Sequence, residues 1–377
     1  MKATALALIV AGLASLAPAG EPAPVWTKLA DAPEDPAGRE FRPGQLGAWC
    51  HVPELKGFIL YGGRSPCFQN GMWLFDPAKK EWKQLKDDDT LTQEPLATWQ
   101  KAVANDAFPG GRKWRTRRPE EAKWSEDRPG AGDSHGVCYD PDAKALWFLG
   151  GYQYAAGGGF GLWKYDPVRN AFAKTEAPPN APRQGPLRLA HDRERRLVIC
   201  VPVLPDQKEA GGTYSPAANA WKAIPGPEAK VYDAYPAMAY DVGAKLTVYF
   251  GMRGDKESAT WVFDGAAWKD AKPEKQPPAR KHPGMCYAPE AGGVVLVGGV
   301  GKQDTWKYDA KANAWEEIPA TGLPQPTKPK WGETTGGPIH GGAAYYCDAL
   351  AYDPESKSAV LFDATIGVWA LKLGNGK

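Results

Sequence analysis

One spacing constrains this chain more than any other feature. An aromatic or histidine residue is followed, 11 positions on, by the end of an apolar run. This occurs at six places: His51/Gly62, Tyr139/Gly150, His191/Pro202, Tyr240/Gly251, Tyr287/Gly298 and Tyr352/Asp363. In the clearest copy, Cys286-Tyr287 and Val294–Val297 read as two strands joined by the turn-rich link Ala-Pro-Glu-Ala-Gly-Gly. A second glycine follows the anchor at Gly63, Gly151 and Gly299, and is replaced by Val203, Met252 and Ala364 elsewhere. A glycine pair allows positive φ and close backbone approach, which suits a sharp exit from a buried strand. Six hairpins of one length, without an insertion, are copies of one unit.

A second hairpin follows the first in five copies: WLFDPAKKEW (73–82), WKYDPVRNAF (163–172), TYSPAANAW (213–221), WVFDGAAW (261–268) and WKYDAKANAW (306–315). Asp76, Asp166 and Asp309, with Ser215 in the third copy, open turns through their side chains and stand 6 residues before the next aromatic. Asp264 stands only 4 before Trp268, which predicts a tighter turn. Four short strands make a twisted sheet that cannot bury both faces alone, so each unit needs neighbours.

This pattern of a Gly-Gly pair, an aromatic-Asp pair and a Trp resembles the kelch repeat. The resemblance covers essentially the whole mature chain and is most complete in units one, two and five. It implies an all-β fold, a six-bladed kelch-type β-propeller with blades of roughly 50 residues. Val25–Leu29 looks like a fourth strand with no unit before it, while unit six ends after three strands, at Ala349–Tyr352, Ala359–Phe362 and Val368–Leu371. Trp26–Leu29 is therefore expected to complete the last blade and close the ring.

Met1-Lys2, the apolar run Ala3–Leu16 and Ala17-Pro18-Ala19 before Gly20 read as a signal peptide over residues 1–19, too short for a comfortable membrane span. Residues 20–377 then form one β-propeller domain that is secreted or periplasmic, soluble and monomeric. With 43 Gly and 36 Pro, the chain is rich in turns, and 16 Trp, 15 Tyr and 11 Phe are too many for disorder. A formal net charge of +2 favours no partner, and an exported protein has little use for nucleic acid. An insertion at 86–128, with helical spacing over Pro95–Ala107, separates units one and two, and a shorter one spans 321–342.

Metal-ligand spacing is absent and no cofactor motif is present, so neither metal nor cofactor is expected. Asp87-Asp88-Asp89 reads as a solvated acidic turn, and Gly132-Asp133-Ser134-His135 is the approach to a repeat unit and not an esterase motif. Cys50, Cys138 and Cys286 occupy equivalent first-strand positions and read as small buried apolar residues. In kelch-like propellers the loops carrying Cys67 and Cys347 share a face, which implies a Cys67–Cys347 disulfide. Trp73, Trp82, Trp163, Trp221, Trp261, Trp268, Trp306, Trp315 and Trp369 recur in equivalent places and read as packing between sheets. Trp49, Trp99, Trp114, Trp124, Trp147 and Trp331 lie outside that motif and are the ones worth mutating.

Loops entering each first strand and leaving each second strand converge, in a propeller, around the channel mouth. Here they supply Arg42, Arg64, Asp133, His135, Tyr152, Tyr154, Tyr232, Tyr235, Arg253, Arg280, His282, His340 and Tyr345. Aromatic rings with Arg and His suit sugars or acidic small molecules. His135, four residues before Tyr139, reads first as a brace. Arg112, Lys113, Arg115, Arg117 and Arg118 cluster in the insertion; they read as a solvated loop or, more sharply, as a polyanion patch.

The functional expectation is a binding module for protein or carbohydrate. An alternative follows from the resemblance to the periplasmic sialic acid mutarotase, a sugar-active enzyme that needs a carboxylate and an arginine at the channel; no motif places that pair. Galactose-oxidase-like copper enzymes also carry kelch repeats, but the Tyr-His dipeptide of their copper site is missing, and Tyr345-Tyr346-Cys347 alone does not rebuild it.

Overall fold

A computed structural model describes residues 23–34, 47–64, 68–88, 125–130, 132–133, 135–150, 152–153, 161–176, 178–182, 185–203, 211–228, 235–254, 256–324 and 349–374. They form six antiparallel four-stranded sheets and one two-stranded ladder. Each sheet is a blade whose first strand lies innermost: Ala48–Val52, Gly136–Asp140, Leu187–Asp192, Ala237–Asp241, Gly284–Ala288 and Leu350–Asp353. These inner strands neighbour one another in order, and the sixth meets the first, so the chain is a six-bladed β-propeller.

The ring closes as expected. Trp26–Ala30 pairs antiparallel with Gly367–Lys372 of blade six, with Trp26 opposite Leu371 and Thr27 opposite Ala370. The contacts of Trp26 show that it is the missing fourth strand. Its indole Nε1 donates to Thr305 Oγ1 of blade five at 3.3 Å, just as Trp315 of blade five donates to Thr260 Oγ1 of blade four at 2.9 Å.

The core is divided. Six clusters of buried apolar residues lie one between each pair of adjacent blades. The repeated tryptophans supply much of this packing: Trp73, Trp163, Trp306 and Trp315 are buried. Trp49 and Trp147 belong to it too, so these two are not spare. Trp49 stacks on Phe58 at 4.8 Å and on Phe362 at 5.3 Å, bridging blades one and six. Trp147 Nε1 donates to Asp140 at 3.0 Å. Asp88 is likewise no solvated residue: it is buried, and its Oδ2 accepts the Asn70 and Gly71 amides at 2.9 and 3.0 Å.

Turn chemistry explains the constancy of the repeat. In the second hairpins, Asp76, Asp166, Asp264 and Asp309 each accept two backbone amides of their own turn. Residues 1–19, read as a signal peptide, Cys67 and Cys347, expected to form a disulfide, the basic cluster 112–118, the Pro95–Ala107 segment and Trp99, Trp114, Trp124 and Trp331 lie outside the described residues. Among the described residues no helix is long and apolar enough to cross a membrane.

Candidate functional site: the axial channel and its two ends

The inner strands enclose a cavity of about 650 Å³ on the propeller axis. Such a size falls in the range of small-molecule sites. The repeat makes its wall easy to describe. One residue before each anchor the strands carry Cys50, Cys138, Ala190, Ala239, Cys286 and Ala351, all lining the cavity. Small side chains are needed where six strands converge. Burial pushes the Cys50 thiol up to about 12 and those of Cys138 and Cys286 well above their ordinary value, which keeps them protonated and unreactive.

The anchors themselves form a ring at the end where first and second strands join. All six line the cavity, and each reaches back to the preceding blade. Tyr139 donates to Glu54 at 2.8 Å, Tyr352 donates to Glu290, and the Tyr240 hydroxyl lies 3.4 Å from the Glu194 amide. The Tyr287 hydroxyl is bonded by the Gly243 amide. His191 Nε2 stands 3.4 Å from Asp140, and His51 Nε2 stands 3.8 Å from Asp353 across the closure between blades one and six. Burial, opposed by these carboxylates, lowers the pKa of both imidazoles. The 11-residue spacing seen in the sequence thus marks a circle of inter-blade latches.

His191, Asp140 and Asp142 bring ligand atoms within 4.8 Å of one another. Their carboxylates are already engaged. Asp140 accepts the Asp142 and Ala143 amides and the Trp147 indole, and Asp142 pairs with Arg196 at 3.3 Å. Through these contacts the group ties blade three to blade two.

The opposite end is the loop end, and of the residues expected to contact a ligand only some are described. His135 lines the cavity, buried, with Nδ1 2.9 Å from the Gly150 carbonyl; its pKa is lowered to about 4 by burial, so it is neutral. Tyr235 and His282 are buried and stacked, ring centres 4.5 Å apart, and Arg188 lies over the Tyr235 ring at 5.7 Å. Arg280 is buried and clamps Asp304 through two nitrogens, at 2.6 and 2.9 Å, while Nη1 also bonds the Gly298 carbonyl. Its geometry is that of a brace for the Gly298-Gly299 turn. Arg253 pairs with Asp270 at 2.7 Å and Glu257 at 3.6 Å. In backbone register Asp133 stands opposite Tyr152 in the two-stranded ladder, and Arg64 opposite Phe68 in blade one. Arg42, Tyr154, Tyr232, His340 and Tyr345 lie outside the described residues.

Of the expected contacts, His135 lines the cavity, while Tyr235 and His282 stack on each other beside Arg188, which also lines it. The loop-based reading missed Arg188 and Arg193, which line the cavity from blade three. No family model and no curated protein matches this sequence.

Proposed function

We propose that this chain is an exported, kelch-type recognition module that takes a protein or carbohydrate ligand at the loop end of its channel. The observation that carries this reading is the composition of the axial cavity. Its described wall offers guanidinium, imidazole and phenol groups, and among the described residues no carboxylate lines it. Binding needs shape, rings and hydrogen-bond donors. Acid–base opening of a sugar ring needs in addition a carboxylate poised beside the substrate. Export rests on the leader-like residues 1–19. The sugar-active enzyme keeps one support, Arg188 at the mouth, and would have to draw its carboxylate from the loops.

A glycan array probed with the purified protein, followed by anomeric-exchange NMR on each ligand found, separates the two. Binding without accelerated exchange is the expected result. Accelerated exchange would replace this reading with the enzyme.

A further inference from the structure

The circle of latches is uneven, and the unevenness follows a pattern. Four anchors are tyrosines, and two of these donate to the glutamate of the preceding hairpin, Tyr139 to Glu54 and Tyr352 to Glu290. The other two anchors are His51 and His191, and each faces a hairpin that reads Asp-Pro-acid. His51 faces Asp353-Pro354-Glu355, and His191 faces Asp140-Pro141-Asp142. The hairpins that face tyrosine read Val-Pro-Glu, Asp-Arg-Glu, Asp-Val-Gly and Ala-Pro-Glu. In the one of these with two acids, Asp192 and Glu194, Arg195 and Lys245 neutralise both. Imidazole thus stands only opposite the Asp-Pro-acid turn, while tyrosine serves the ring everywhere else.

His191 is a poor latch by itself. Its side chain is 3 % exposed, yet neither ring nitrogen makes a hydrogen bond among the described residues. Leaving a buried polar group without such a bond costs stability. Nε2 stands 3.4 Å from Asp140 Oδ1, and with an Asp142 oxygen the three ligand atoms lie within 4.8 Å of one another. Tetrahedral zinc, bound at about 2.0–2.1 Å, holds its ligands about 3.3 Å apart, close to that spacing. The Asp142 and Ala143 amides and the Trp147 indole fix the Asp140 carboxylate, which is the outer support that metal ligands need. Arg196 meets Asp142 through Oδ2, and both Arg196 and Arg193 are exposed, so solvent and salt screen their charge. Burial, opposed by Asp140, lowers the His191 pKa and favours the neutral imidazole, the form that binds metal.

We propose that His191, Asp140 and Asp142 form a binding site for a zinc-type divalent cation between blades two and three. One imidazole and two carboxylates suit zinc, offset its charge, and leave a fourth position to water. The ion staples blade three to blade two where other blades use a tyrosine hydroxyl. Its ligands come from two blades, so no spacing along the chain announces it. The corresponding group at the ring closure is wider: His51 Nε2 lies 3.8 Å from Asp353, and Glu355 pairs with Lys56 at 3.9 Å. One ion per chain is therefore expected. The site is independent of the recognition reading above.

The test is calorimetric titration of the untagged chain with zinc chloride near neutral pH, after treatment with a chelator and dialysis. One site with a Kd of about 1 μM or tighter is expected, and saturating zinc should raise the melting temperature. His191→Tyr installs the residue that four sister blades carry, and Asp142→Ala removes an exposed ligand, so both should keep the melting temperature of the zinc-free protein. Each should weaken zinc binding by about tenfold or more. His51→Tyr should bind zinc as the wild-type protein does, which separates this site from the ring closure. If His191→Tyr destabilises the zinc-free protein, His191→Gln makes the same comparison. No binding tighter than about 100 μM, or wild-type affinity in either the His191 or the Asp142 variant, overturns the proposal. So does a loss of binding in His51→Tyr equal to that in His191→Tyr. The glycan array tests the recognition reading separately, so the two can fail independently.

Discussion

At the hairpin end of the channel, all six connections between first and second strands share one geometry. The residue five after the anchor has positive φ in every blade: Lys56 at 48°, Lys144 at 46°, Arg196 at 56°, Lys245 at 58°, Gly292 at 74° and Lys357 at 55°. At the loop end the connections between blades differ in length: the segment joining blade two to blade three is 176–186, while that joining blade one to blade two is 87–135. The difference shows where the fold constrains the sequence. An inserted residue in a hairpin would pull a Tyr or His away from the blade before it, breaking the circle of latches. The loops carry no such duty and are free to vary.

The largest effect expected lies at the loop end, where one candidate contact turns out to be a brace. Arg280→Ala should cost about 3–5 kcal/mol in denaturant unfolding, since it strands Asp304 beside a buried site. Burial raises the Asp304 pKa, but bonds from Arg280 and Trp306 outweigh it and leave the carboxyl below its ordinary value. Its stabilisation is therefore present above the unfolded-state pKa and is lost as pH falls through the lowered folded value. The variant should lack that acid-side loss.

His135 gives the next effect. Its pKa falls to about 4 on burial, so the unfolded chain takes up its proton first on acidification. Stability should be intact above about pH 6.5 and fall by up to a few kcal/mol as pH drops to about 4. His51 and His191 titrate with the same sign, so the informative quantity is the difference between the wild-type protein and His135→Gln, whose melting temperature should vary less with pH over that window.

Much of this architecture was legible in the sequence because a repeat averages out noise. The 11-residue spacing gave the hairpins, and the orphan Trp26 gave the closure, because each reflects a geometric need imposed on every blade. The channel wall was harder to read. Arg188 and Arg193 sit in and beside a strand, not in the loops that a search for ligand contacts favours. Aligning the six copies on the anchor and asking which residue breaks the column of Ala and Gly, or of Pro and Val, would have found both. The bracing roles of Arg280 and Trp147 had no such signal. They depend on Asp304, 24 positions away, and on the Asp140 side chain in the neighbouring strand.

The hairpin end should respond more mildly. Tyr139→Phe and Tyr352→Phe each remove a hydroxyl bonded to a carboxylate and should lower stability by about 1 kcal/mol apiece. The same change in a tyrosine outside the ring would not report on latching between blades. Smallest of all, Gly292→Lys should change stability by less than about 1 kcal/mol, although Gly292 has φ 74°, because the other five blades hold Lys or Arg in that conformation. A loss of several kcal/mol there would mean that blade five does not share the common turn.

The ring itself can be tested by a covalent bond between the two segments that close it. Thr27 lies opposite Ala370, and directly paired residues of an antiparallel ladder are close enough for a disulfide. With Thr27→Cys and Ala370→Cys combined, mild oxidation of the folded protein should join the two positions within one chain, seen as a faster band on a non-reducing gel and a higher melting temperature. Two engineered thiols that stay free while the protein remains folded would contradict closure of blade six by residues 26–30.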